Sequence, residues 1–230
     1  MFVSDHLPFV LEGALLTVQV GFASLLVALV LGGCGALAKL SNSKILRGIM
    51  EVYTTIIRGI PDLVLMLLLY FGGQVLINQI VFALGYDTYI ELSAFWVGVI
   101  TIGFIFGAYM TETFRGALLA VSKGQIEAGF AYGMTGPQVF FRITLPQALR
   151  HALPGLSNNW LVQLKTTALV SVIGLNDMVF RAKQAGQAER EPFTFLLAVA
   201  VIFLLLTGLS EILLNSLSRY LNRGFQAPKG

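Results

Sequence analysis

The chain has 230 residues, of which 56% are hydrophobic and only 12% charged, with a net charge of +3 and a mean hydropathy of +0.79. Soluble domains carry about 25% charge, and here the apolar residues come in long blocks: 26 charge-free residues separate Glu12 from Lys39, and 24 separate Asp62 from Asp87. Blocks beyond about 18 residues read as bilayer spans, which excludes a soluble enzyme, a nucleic-acid reader and a disordered scaffold and fits one integral membrane domain.

Five spans are predicted, in an all-α membrane bundle. The first covers 9–38; because Met1 to Glu12 holds no Lys or Arg, it is expected to be a permanent span rather than a cleaved signal. It contains the sole cysteine, Cys34, which reads as a small packing residue. The second span covers 51–83 and carries a break early on, at Gly59-Ile60-Pro61, because proline removes a helical hydrogen bond. Gly72-Gly73 is a second soft point. The third, 93–120, has Gly103 and Gly107 spaced as a small-xxx-small packing face. The fourth, 157–180, is interrupted by Lys165, and the fifth covers 192–217.

Basic residues set the expected orientation. Lys39, Lys44, Arg47, Arg115, Lys123, Arg142, Arg150, Arg219, Arg223 and Lys229 fall on one side; only Arg181, Lys183 and Arg190 fall on the other, and the connection around Asp87 and Glu91 has no Lys or Arg. Ten against three predicts an N-terminus outside and a C-terminus in the cytoplasm, which makes the hydrophilic connection 121–156 cytoplasmic; the resemblance described below makes that outside the periplasm.

Arg58, Asp62, Glu112, Lys165 and Glu211 lie in or near apolar blocks. A charge at the bilayer centre costs about 2.5–3.5 kcal/mol on insertion scales, so such residues face a partner, a cavity or water. Arg58, Glu112 and Lys165 fall within about two or three turns of the expected inner boundary, where Glu112 could pair with Arg58 or with Lys165. Two readings stand: a polar path for a charged or zwitterionic solute, or ion pairs and snorkelling chains that fix helix register. Broken backbone at membrane depth belongs where it lines a cavity or is buried in protein, so Gly59 and Pro61, flanked by Arg58 and Asp62, point to a solute contact. Glu12 and Glu211 read as end-of-helix residues.

In the 121–156 connection, Gln125 to Tyr132 is predicted as a short helix ended by Gly133. Pro137 suits the first turn of a second helix, which Pro146 would end or kink. Ala128, Gly129 and Ala131 would let a partner approach closely, and Phe130, Tyr132, Phe140 and Phe141 offer bulk for a groove. There is no Gly-x4-Gly-Lys-Ser/Thr phosphate loop, and His6 and His151 lack metal-ligand spacing. No catalytic or metal residue is expected.

This connection resembles the EAA loop of type I ABC importer permeases, patterned Glu-Ala-Ala-x3-Gly-x9-Ile-x-Leu-Pro. Glu127, Ala128, Gly133, Ile143, Leu145 and Pro146 match at that spacing, and Gly129 stands where a third Ala is usual. Tyr53-Thr-Thr-Ile-Ile-Arg-Gly-Ile-Pro61, Ala108-Tyr-Met-Thr-Glu-Thr-Phe-Arg-Gly116 and Leu164-Lys-Thr-Thr-Ala-Leu169 resemble permeases of the polar amino-acid uptake family, with Ile60 where Thr is commoner before the proline, and Glu51-Val-Tyr-Thr-Thr and Pro61-Asp-Leu-Val-Leu-Met-Leu are similar to the "Q" permeases of histidine, lysine–arginine–ornithine, arginine and opine importers.

The resemblance implies the type I permease fold over the whole chain, a sister "M" permease as heterodimer partner, two cytoplasmic ATPases that use ATP and Mg, a periplasmic solute-binding protein, and residence in the bacterial inner membrane. It implies alternating-access import of a cationic amino acid, with no cofactor on this chain. The loop, Glu127 and Gly133 above all, would couple it to the ATPases. Arg58 could then hold an α-carboxylate, and Glu112 or Asp62 a cationic group. Two other classes share the intramembrane charges: a secondary transporter driven by an ion gradient and a non-transporting membrane subunit. Neither accounts for the loop spacing, and no inverted repeat is evident.

Overall fold

The computed structural model describes residues 2–221, with side chains from His6 onward. In chain order the helices are α1 (Phe2–Leu40), α2 (Lys44–Gly59), α3 (Asp62–Leu67), α4 (Gly73–Ala83), α5 (Ala94–Leu119), α6 (Lys123–Ala131), α7 (Gly136–Val139), α8 (Leu145–Thr166), α9 (Met178–Ala188) and α10 (Pro192–Leu221). π-Helical turns, Leu68–Gly72 and Phe140–Thr144, join α3 to α4 and α7 to α8, and a 3-10 segment, Thr167–Ile173, follows α8.

α5 is the central helix: 61% of its most apolar stretch is buried, against 11% for α10, whose Leu204, Leu205 and Ile212 lie bare. α1 crosses α5 closely because glycine permits it. A Cβ on Gly103 would come within 2.6 Å of Val27, and one on Gly107 within 2.9 Å of both Leu31 Cβ and Tyr53 Oη. The seam is dry and apolar at Val20, Ala28, Ile102, Ile105 and Met110. Without water in the bilayer, buried polar groups must find partners inside the bundle. Gln163 Nε2 donates to Ser24 Oγ at 2.9 Å and Asn159 Nδ2 to Thr113 Oγ1 at 3.0 Å, which ties α8 to α1 and α5. A second apolar cluster, around Met178, Ala182 and Phe195, holds α9 against α1 and α10.

Among the described residues, four helices are long and apolar enough to cross a membrane: His6–Leu40, Asp62–Ala83, Ala94–Leu119 and Pro192–Leu221. The expected fourth span, 157–180, is not one helix. α8 stops at Thr166, the chain tightens into the 3-10 segment, turns through left-handed Gly174 (φ 85°) and restarts at Met178. Around this transition Thr166, Thr167 and Ser171 donate to Val162 O, Leu164 O and Ala168 O, and the left-handed Gly174 then ends the helical run. The expected second span is divided as well. Pro61 pushes the preceding Ile60 into extended backbone (φ −106°, ψ 138°), so α2 ends and α3 starts anew.

Candidate functional site

The connection between α5 and α8 is a built structure rather than a flexible loop. α6 covers most of the predicted Gln125–Tyr132 helix. Its end is set by Gly133, whose φ of 77° favours glycine. Gly133 N donates to Phe130 O at 2.9 Å and Met134 N to Gly129 O at 3.1 Å, which satisfies the last carbonyls. α7 opens on a capping box between Thr135 and Gln138, with Pro137 in its first turn. Pro146 does not end that helix: the π-turn Phe140–Thr144 widens the coil just ahead of it, and Pro146 falls in the first turn of α8. Residues 136–166 are therefore one continuous, locally widened rod.

Gly129 faces inward, contrary to the expectation that it receives a partner. A Cβ there would lie 2.7 Å from Ile143 Cδ1 and 3.1 Å from Val139 Cγ2, so its smallness locks α6 onto the rod. Ile143 is thus an internal contact, and Leu145 is half-buried beside it in sequence. The outer face of α6 carries Glu127, Ala128, Phe130 and Ala131, and the tip carries Tyr132, 88% exposed. Phe141 is exposed, and Phe140 is turned to a cleft against Phe114 and Ala148.

The membrane charges form a different network from either expected pairing. Glu112 pairs with neither Arg58 nor Lys165. Its Oε1 accepts from Lys39 Nζ at 2.5 Å and its Oε2 from Arg115 Nη2 at 2.9 Å. Lys39, expected as a free basic flank, is only 7% exposed, because α1 ends against α2 and α5. Its Nζ also reaches Thr54 Oγ1 and Glu51 Oε2, both at 2.7 Å. Lys165 is exposed on the outer face of α8, one residue beyond the inward-facing Gln163 and Leu164. Asp62 opens α3 and is half-buried.

A polar cavity of about 340 Å³ brings Arg58 and Glu112 to the same walls, with Glu51, Thr54, Thr55 and Gly59. Neither Asp62 nor Lys165 lines it. Both oxygens of Glu112 are engaged on the protein side, whereas the exposed Arg58 guanidinium lies 5.4 Å from the centre of the Tyr109 ring. Sequence reasoning missed Lys39 because it follows a charge-free run and looks like any flanking lysine. Its partners Thr54 and Glu112 are 15 and 73 positions away, and no local signal joins them.

A helical rod runs unbroken from Gly136 to Thr166 and carries the short exposed helix α6. The family described as "Binding-protein-dependent transport system inner membrane component" matches residues 10–225. The chain belongs to this family. It is similar to the histidine/lysine/arginine/ornithine transport system permease protein HisQ of Escherichia coli, 48% identical over 210 residues that cover 91% of this chain and 92% of HisQ. It is also similar to the octopine transport system permease protein OccQ of Rhizobium radiobacter, 44% identical over 87% of this chain and 84% of that one.

Among solved structures, an amino acid ABC transporter with histidines superposes with a TM-score of 0.81 at 30% identity, over 96% of this chain and 98% of that one. The MetNI methionine ABC transporter in an inward-facing conformation shares the fold, with a TM-score of 0.67 at 20% identity. The chain is thus a multi-pass, all-α membrane component with the type I ABC permease fold.

Proposed function

We propose that this chain is one permease subunit of an ATP-driven importer of cationic amino acids in the bacterial inner membrane. It works beside a sister permease, two ATPase chains that bind ATP and Mg, and a periplasmic binding protein. The similarity to HisQ and OccQ supports the amino-acid class and its cationic charge. The chain forms a single transmembrane domain with its N-terminus outside, and its fifth crossing is made in pieces, from the second half of α8 on through the 3-10 segment Thr167–Ile173.

The observation that carries the reading is the mechanical continuity of the coupling loop. α6 is exposed on the face bearing Glu127 and locked through Gly129 onto Val139 and Ile143. Those residues belong to the segment that runs unbroken into α8, and α8 packs on α5. A push on α6 from a closing ATPase dimer therefore moves α8 as a rigid body and changes access to the polar cavity. Within that cavity Arg58 is the counter-charge for an α-carboxylate.

The test is Glu127→Arg in the complete importer reconstituted in liposomes. Stimulation of ATP hydrolysis by the loaded binding protein is expected to fall at least tenfold, with assembly unchanged on size-exclusion chromatography. Normal stimulation would refute the coupling role.

A further inference from the structure

Arg58 and Glu112 line the same polar cavity, yet no ion pair joins them. Lys39 Nζ takes Glu112 Oε1, and Arg115 takes Oε2 through Nε at 3.0 Å and Nη2 at 2.9 Å. The contact that Arg58 makes instead is with a ring. Its Cζ lies 5.4 Å from the centre of Tyr109, within the about 6 Å over which an aromatic face attracts a cation.

Each part of this arrangement has a local cause. Pro61 stops α2 at Gly59, so no further helical turn follows Arg58 to cover it. A Cβ on Gly59 would meet nothing within 4 Å, and Arg58 is exposed at this open end. Tyr109 comes from α5, three residues before Glu112, and that spacing makes the two neighbours on the helix surface. The Tyr109 ring is fixed from behind. It packs on Phe106, which is only 2% exposed, with the ring centres 5.6 Å apart and the planes tilted by 33°. A continuous stack thus runs from the apolar core through Phe106 and Tyr109 to the Arg58 guanidinium. Tyr109 does not line the cavity itself, so it can act there only through the arginine.

The kind of contact decides what Arg58 can still do. A carboxylate partner would occupy the donor edge of the guanidinium, because two parallel N–H groups meet its two oxygens. A ring attracts the positive charge through its π face and provides no oxygen, so the N–H donors remain available for one. Glu112, one turn along α5, would be such a partner if Lys39 and Arg115 did not already hold both of its oxygens.

We infer that Tyr109 is the positioning residue for the solute carboxylate: its ring holds the Arg58 guanidinium at the cavity, while the Lys39 and Arg115 contacts keep Glu112 from capturing it. This role rests on the proposed function, which gives Arg58 the carboxylate, and adds the group that keeps Arg58 ready for it.

The test is direct titration of the detergent-purified permease–ATPase assembly with arginine and with agmatine, which is arginine without its carboxylate. The native assembly is expected to bind arginine more tightly. Tyr109→Leu is expected to weaken arginine about fivefold, the scale of one cation–π contact, and to leave agmatine unchanged. Tyr109→Phe keeps the ring face and should restore the preference. A fluorinated phenylalanine in place of Tyr109 keeps the shape but depletes the face of electron density, so it should weaken arginine as leucine does, without disturbing the packing on Phe106. Arg58→Ala should abolish the preference, and Tyr109→Leu added to it should weaken arginine no further.

Arginine binding that is the same with the fluorinated ring as with Tyr109→Phe overturns the role of Tyr109. So does an equal loss of arginine and agmatine in Tyr109→Leu, which would mark the ring as packing alone. A native assembly that binds both ligands alike or neither, or an Arg58→Ala assembly that keeps the native preference, refutes the carboxylate assignment of the proposed function and the role of Tyr109 with it. A preference lost in Arg58→Ala but intact in Tyr109→Leu refutes the role of Tyr109 alone.

Discussion

Lys39 offers the sharpest test of the electrostatics at the junction of α1, α2 and α5. Its side chain is 4% exposed and its ammonium bridges Glu112 at 2.5 Å and Glu51 at 2.7 Å. Lys39→Met preserves the apolar stem and removes the charge. The Glu51 arm contributes little, because that carboxylate is 66% exposed and exposed pairs are worth about 0–1 kcal/mol. The Glu112 arm is different: its side chain is 21% exposed, and removing one member of a buried pair costs about 3–5 kcal/mol by stranding the other. Arg115 still holds Oε2 at 2.9 Å, which places the expected loss at the lower end, about 3 kcal/mol.

For a chain of this size that is a fall in melting temperature of about 6–12 °C, read by thermal unfolding of the purified assembly. The decisive comparison is the double variant Lys39→Met/Glu112→Gln. If the cost is a stranded charge, neutralising Glu112 recovers most of the lost stability, a coupling that a double-mutant cycle isolates. A single variant within about 2 °C of the native protein, or a double variant no more stable than the single one, would refute the assignment.

Two further outcomes follow from the glycines. Gly107→Leu should destabilise the bundle by about 2–3 kcal/mol through overpacking, since even its Cβ meets Leu31 and Tyr53 Oη at 2.9 Å; Gly116→Leu, on the same helix with nothing within 4 Å, should be near neutral in the same thermal assay. Gly133→Ala has room for its methyl group but must hold φ at 77°, which costs about 1–2 kcal/mol. Gly133→Asn, which tolerates that conformation, should lose less, and coupled ATP hydrolysis should follow the same order.

What could be read from the sequence was local. The apolar spans, the Pro61 break and the loop spacing from Glu127 to Pro146 depend on residues within a few turns of one another, and local sterics dictate them. The Gly103–Gly107 face was legible for the same reason, since spacing alone puts both on one side of α5, although its partner, Val27 and Leu31 of α1, was not. The fourth span was misjudged because hydropathy counts Thr166, Thr167 and Ser171 as mild interruptions. The change to the 3-10 segment at Thr167 and the left-handed turn at Gly174 are backbone events that a hydropathy count does not register.

The charges show where sequence reasoning stops. Insertion energetics require that Glu112 and Arg58 be compensated without naming what compensates them. Similar expected depth in the membrane favoured pairing Glu112 with Arg58 or with Lys165. The fold instead brings the end of α1 across, so that a lysine dismissed as a topological flank becomes the partner. In a bundle with so few charges, compensation inside the protein marks Lys39, Glu112 and Arg115 as architecture. Arg58, which faces the polar cavity beside Tyr109 without an ion pair among the described residues, is the group to which the proposed function assigns the solute carboxylate.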